Sequence, residues 1–172
     1  ELSCGSETLK LSNDTEKSVV LEALSKRRNR TLKSVRFFET KDFDFVAKVL
    51  RILRAKELQF SDFSAVWSDE AVDALCNMLT NDNCVEKLCF RWCQMTVGKQ
   101  ITKMQSEKFQ CALKESKSLK LLQIQTYHPF AHLLPEESCK FDIELFFGEV
   151  FRSDIVSVEL SNEQANAFLK GF

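Results

Sequence analysis

The sequence predicts an α/β fold of about six strand-plus-helix units spread over residues 1–172. Three observations predict it. Short extended patches with two apolar residues two apart recur along the chain, and the stretches between them carry apolar residues at helical spacing. The first residues of the paired positions are Leu9, Val35, Leu58, Leu88, Leu122 and Val158, separated by 23 to 36 residues and by just under 30 on average. Strand and helix in alternation give a parallel sheet with right-handed crossovers, and each crossover needs a dozen or more residues, which every interval supplies.

The elements follow in order. Leu9 and Leu11, preceded by Ser6, make the first patch, and Val19, Val20 and Leu24 share a helical face after it. The basic run Lys26-Arg27-Arg28-Asn29-Arg30 falls at that helix end, where positive charge complements the carbonyl end of the dipole. Leu32, Val35 and Phe37 form the second patch, followed by Phe45, Val49 and Leu53 on one helical face. Ala55, Leu58 and Phe60 form the third. Ser68 then N-caps a helix with Asp69 and Glu70 in its first turn and Val72, Leu75 and Leu79 at i, i+3, i+7. Asn81-Asp82-Asn83 ends it with turn chemistry. Val85, Leu88 and Phe90 precede a helix carrying Ile101, Met104, Phe109, Ala112 and Leu113. Leu119, Leu122 and Ile124 form the fifth patch. Ile143, Phe146, Phe147 and Val150, at i, i+3, i+4, i+7, predict one more helix before the sixth patch, Ile155, Val158 and Leu160.

Composition narrows the function. Twenty-four Lys and Arg against 25 Asp and Glu leave a formal charge of −1, without the basic excess of a dedicated nucleic-acid binder. Four glycines provide no phosphate cradle, and no apolar run approaches the ~18 residues of a membrane span. Fifteen Phe against one Tyr mark inward sites that want bulk without a hydroxyl. Seven cysteines, odd in number and scattered, read as free thiols of a reduced, cytoplasmic protein, and the basic run leaves the nucleus open. Two glycosylation tripeptides, at Asn13 and Asn29, point the other way and arise readily by chance. The chain opens on Glu1, as a processed chain or a piece of a longer one would.

The segment Val85-Glu86-Lys87-Leu88-Cys89-Phe90-Arg91-Trp92-Cys93-Gln94-Met95 places apolar residues at positions 1, 4, 6 and 11 and Cys at position 9. It resembles the leucine-rich repeat signature L-x-x-L-x-L-x-x-(N/C)-x-L, and the other five patches are degenerate copies without the position-9 residue. The mean interval resembles the long, helix-containing repeats of the ribonuclease-inhibitor type. Leu32 to Phe37 and Ala55 to Phe60 also look like the repeat-derived domains that follow F-boxes in nematode proteins. The alternative reading of the alternation is an ordinary compact α/β or α+β domain.

The resemblance implies a solenoid with parallel strands on a concave face and helices on a convex one. It implies a single leucine-rich repeat domain over 1–172, a fragment of a longer protein or a subunit of a complex. The function it implies is a non-catalytic protein–protein interaction scaffold without a cofactor, binding its partner on the concave strands. The narrower form is a substrate-recognition or adaptor module of a ubiquitin ligase. The alternative is a module that binds RNA or a ribonuclease-like partner.

The residues flanking each inward pair face the other side of the sheet. Arg and aromatic residues on a rigid surface are the usual interface anchors. On that ground the candidate partner-binding residues are Arg36, Phe38, Gln59, Lys87, Arg91, Trp92, Leu121 and Gln123. His128 and His132 lie four apart, but Pro129 and Pro135 make their stretch loop-like and only Cys139 stands near as a third ligand, so no metal is expected. Cys93 sits where the template makes structural turn hydrogen bonds and Cys76 beside Leu75 on a helix face, so neither reads as a nucleophile. Asp42/Asp44, Asp69/Glu70 and Glu136/Glu137 read as helix starts or loops. Phe168 and Leu169 near the end read as a truncated array or as an uncapped end for a dimer mate or another subunit to cover.

Overall fold

The apolar pairs lie side by side in the computed structural model, which describes residues 8–26, 30–61, 66–81, 84–91, 101–126, 140–147 and 156–160. The elements run β1 (Thr8–Leu11), α1 (Lys17–Lys26), β2 (Leu32–Phe38), α2 (Phe43–Ile52), β3 (Ala55–Ser61), α3 (Asp69–Asn81), β4 (Lys87–Arg91), α4 (Lys103–Glu115), β5 (Leu121–Thr126), β6 (Asp142–Phe147) and β7 (Val156–Leu160). All seven strands form one sheet in sequence order. β1 to β6 are parallel, and β7 runs antiparallel to β6. The fold is α/β, with six parallel strands and four helices among the described residues.

The register is the one the apolar pairs dictate. Leu9, Val35, Leu58, Leu88, Leu122 and Ile143 are neighbours across the strands, and so are Leu11, Phe37, Phe60, Phe90, Ile124 and Leu145. Strands paired in sequence order with crossovers of one hand place α1 to α4 on the same side of the sheet, where successive helices pack together. Ala55, Val85 and Leu119, three residues ahead of the next inward site, are buried as well. An odd spacing breaks the period of two, so the chain turns into the core at the first residue of β3 and just ahead of β4 and β5.

Local chemistry sets the helix ends. Asp42 Oδ1 accepts from Phe45 N–H at 2.9 Å and caps α2. Ser68 Oγ accepts from Ala71 N–H at 3.2 Å at the start of α3. Thr102 and Gln105 form a reciprocal capping box on α4, at 3.1 and 2.8 Å. The expected helix starts at Asp42, Asp69 and Glu70 are therefore observed. Glu136 and Glu137 lie outside the described residues.

The core is a stack of rings. Phe60 stacks on Phe37 at 5.1 Å and on Phe90 at 5.4 Å, and Phe109 of α4 meets Phe90 edge-on at 5.8 Å. Trp67, 1% exposed, closes the stack against Phe43 at 5.1 Å and Phe60 at 5.2 Å. Polar ties fasten each unit to the next: Lys17 to Asp42 at 2.7 Å, Gln105 to Asp69 at 2.7 Å, Lys108 to Asp73, and Lys120 to Glu86 at 2.7 Å. Asn13 takes part in the same way, donating to Glu39 O and accepting from Lys41 N–H.

Three expectations are corrected. The segment with Ile143, Phe146 and Phe147 is strand β6, not a helix: the free edge of β5 offers it a hydrogen-bonding partner, and its Ile143/Leu145 alternation matches the rows already formed. Val158 and Leu160 do lie in a strand of the common sheet, but that strand is antiparallel. Only residues 148–155, eight in all, separate β6 from β7. A parallel return needs a dozen or more, whereas an antiparallel one does not. Met104 also departs from its expected inward face and is 68% exposed.

Candidate functional site

Alternation along β1 to β5 sends every second side chain away from the helices, and those side chains make the candidate surface. Its rows are fixed by the strand register. Thr8, Ser34, Glu57, Lys87, Leu121 and Asp142 form one row, and Lys10, Arg36, Gln59, Cys89, Gln123 and Glu144 the next. Phe38, Ser61 and Arg91 follow in a third. Within a row, neighbouring residues step across the sheet at about 4.8 Å per strand.

The eight candidate residues do not form one cluster. Arg36, Phe38, Gln59 and Arg91 line a groove of about 550 Å³ near the strand C-terminal ends, with Lys10, Leu11, Ser12 and Ser61. Arg36 and Arg91 are exposed, and Phe38 is 45% exposed. Gln59 is half-buried and donates from Nε2 to Ser61 Oγ at 2.8 Å, which orders the floor. Lys87 and Leu121 belong instead to a second groove of about 490 Å³ at the strand starts, beside Lys33, Lys56, Glu57, Glu86 and Lys120. Gln123 is buried and donates to Glu144, so it supports the face rather than presenting a contact. Trp92 lies outside the described residues.

The second groove is continuous with another of about 480 Å³ that adds Lys117, Lys140 and Ser118 and shares Thr31, Lys56, Glu86 and Lys120. Six lysines therefore gather where the chain enters the strands. Glu86 answers two of them, Lys120 at 2.7 Å and Lys56 at 3.6 Å, and the Lys120 hydrogen bond holds its carboxyl below the usual range. The sequence reading missed this rim because its near-neutral total hides a segregated charge. The signal was there, in lysines one or two residues ahead of the paired apolar positions.

The described cysteines are free: Cys76 and Cys89 buried, Cys84 half-buried and Cys111 exposed. Burial pushes the Cys76 thiol up to about 12 and raises that of Cys89, where Arg91 opposes it. A thiol held protonated is a poor nucleophile. Cys93, His128, His132 and Cys139 lie outside the described residues, as do Arg27 to Asn29 of the basic run, whose Lys26 ends α1 paired with Glu22. Among the described residues no group of His, Cys, Asp or Glu side chains could hold a metal ion, and no helix is long and apolar enough to cross a membrane. Compared with models of protein families, with curated proteins and with solved structures, the chain shows no significant match.

Proposed function

We propose that the chain is a non-catalytic protein-recognition scaffold of the leucine-rich repeat type, an irregular solenoid that holds its partner on the concave sheet face. One observation carries the reading: Arg36, Phe38 and Arg91 converge on an open groove while their strand neighbours Val35, Phe37 and Phe90 are fully buried. Aromatic and arginine side chains anchor protein interfaces, and anchors on a fixed backbone lose little freedom on binding. The free thiols suit a cytoplasmic or nuclear setting. A role as the substrate-reading or adaptor part of a ubiquitin ligase rests on the F-box resemblance alone.

The test compares immobilised wild type with the Arg91→Ala/Trp92→Ala double variant in a native cell extract. The expected result is a protein retained by wild type and lost by the variant, at an unchanged melting temperature. An identical set of captured proteins would refute the reading.

The lysine rim favours a second reading, binding of RNA, because six cations line adjoining grooves there. That reading expects a salt-dependent gel shift that Lys87→Glu/Arg91→Glu abolishes, and no shift at low salt removes it. A basic, ribonuclease-like partner would meet repulsion at Lys10, Arg36 and Arg91.

A further inference from the structure

We propose that the groove over β1 to β4 takes an acidic peptide segment, its carboxylates set against Lys10, Arg36 and Arg91 and an apolar side chain laid on Phe38. The proposal rests on the reading of this face as the binding surface and adds the chemistry of the partner.

Charge is the first argument. The eight residues lining the groove include three cations and no carboxylate. Lys10 and Arg36 are direct cross-strand partners in the parallel register of β1 and β2. Like charges placed opposite one another on a sheet are destabilising. Several lysines elsewhere have answering carboxylates: Lys17 has Asp42, Lys108 has Asp73, and Lys56 and Lys120 share Glu86. Among the described residues no ion pair is made by Lys10 or Arg36. A partner's carboxylate would supply the missing counter-charge, and a guanidinium offers it two parallel donors.

Polarity along the row is the second argument. Lys10 and Arg36 stand at the β1–β2 end, Gln59, Cys89 and Gln123 are neutral, and Glu144 closes the row on β6. An acidic segment is attracted to one end and repelled at the other, which fixes where it lies. Phe38, 45% exposed at the rim, gives it an apolar seat. A nucleic-acid strand fits less well, because stacking along a strand needs successive aromatics and a continuous basic track. The groove has one described aromatic, and its row ends in a carboxylate.

The test is selection of a random dodecapeptide phage library on the immobilised protein. Enriched peptides should be acidic with an interspersed apolar residue. Selection on Lys10→Glu/Arg36→Glu should lose the acidic bias, and selection on the rim variant Lys33→Glu/Lys120→Glu should keep it. A fluorescein-labelled copy of an enriched peptide should bind Lys10→Ala/Arg36→Ala about tenfold more weakly, two exposed charge pairs having been removed. Melting curves confirm that each variant is folded. No enrichment, no acidic bias, or the same peptides on the Lys10/Arg36 reversal would each overturn the proposal. If the extract partner is nevertheless lost from the Arg91/Trp92 variant, the binding face stands and its partner has another charge. If both experiments fail, the face reading falls as well.

Discussion

Phe37 and Phe38 are the same residue type, adjacent in β2, and their replacement by Ala should have opposite consequences. Phe37 is 0% exposed, and its ring stacks 5.1 Å from that of Phe60, nearly parallel at 5°. Emptying a buried Phe site costs about 3–5 kcal/mol, and the stacked pair contributes about 0.5–1.5 kcal/mol of that. For a chain of this length 1 kcal/mol moves the melting temperature by roughly 2–4 °C, so Phe37→Ala should melt about 6–20 °C lower. Phe38 points to the other face and is 45% exposed. Away from buried features a substitution stays within about 0.5 kcal/mol, so Phe38→Ala should move the melt by about 2 °C or less. Far-ultraviolet circular dichroism during urea and thermal unfolding measures both. Equal losses, or a greater loss at Phe38, would mean that β2 pairs one residue out of register, which would exchange the core and binding faces.

Four other perturbations have definite outcomes. Arg36→Gln removes a like-charge neighbour of Lys10, so it should leave stability unchanged within about 0.5 kcal/mol or raise it slightly, as a urea midpoint shows. Gln105→Ala removes the amide that joins Thr102 N–H, Asp69 Oδ1 and Trp67 O, at a cost of about 1–3 kcal/mol. Thr102→Ala, which removes one cap, should cost about 1 kcal/mol, and melts that coincide would deny Gln105 its bridging part. The Asp42 carboxyl is held below its ordinary 3.8 by the Lys17 hydrogen bond first and the Phe45 N–H second. Its contribution is therefore present above pH 3.8 and lost as pH falls through the lower folded value. Lys17→Ala should flatten this acid limb and return the carboxyl NMR titration toward 3.8. Cys111 is exposed, whereas burial pushes Cys76 up to about 12, so iodoacetamide at pH 8 should label Cys111 and spare Cys76 until urea is added.

The sequence made the first five strands legible because each needed only one pair of apolar residues two apart, repeated at an interval long enough for a helix. Leu9, Val35, Leu58, Leu88 and Leu122 all fall in register. β6 escaped because Phe141-Asp142-Ile143-Glu144-Leu145-Phe146-Phe147 satisfies both periods over so few residues, and periodicity alone cannot separate a short strand from a helix turn. What decides it is the neighbouring strand edge, which is tertiary information. The direction of β7 was equally hidden in its own alternation, yet the eight-residue separation from β6 carried it. The face residues followed from the alternation, but their division into two grooves did not. That division depends on how far along each strand a residue sits, as Arg91 at the end of β4 and Lys87 at its start illustrate.

The same alternation decides how this surface responds to change. Arg36 stands between Val35 and Phe37, and Gln59 between Leu58 and Phe60, all four neighbours at 0% exposure. A groove residue on such a strand cannot shift without dragging a core residue out of its packing, so the spacing of Lys10, Arg36 and Arg91 is as rigid as the ring stack beneath. Preorganisation of this kind reduces what binding must spend on ordering the site. It also makes the partner replaceable: the side chains on one parity can be exchanged while the other parity keeps the sheet in register. Charge reversal at positions 10 and 36 should therefore redirect the groove toward a basic segment and not merely abolish binding, because the backbone that spaces the charges is held from the opposite side.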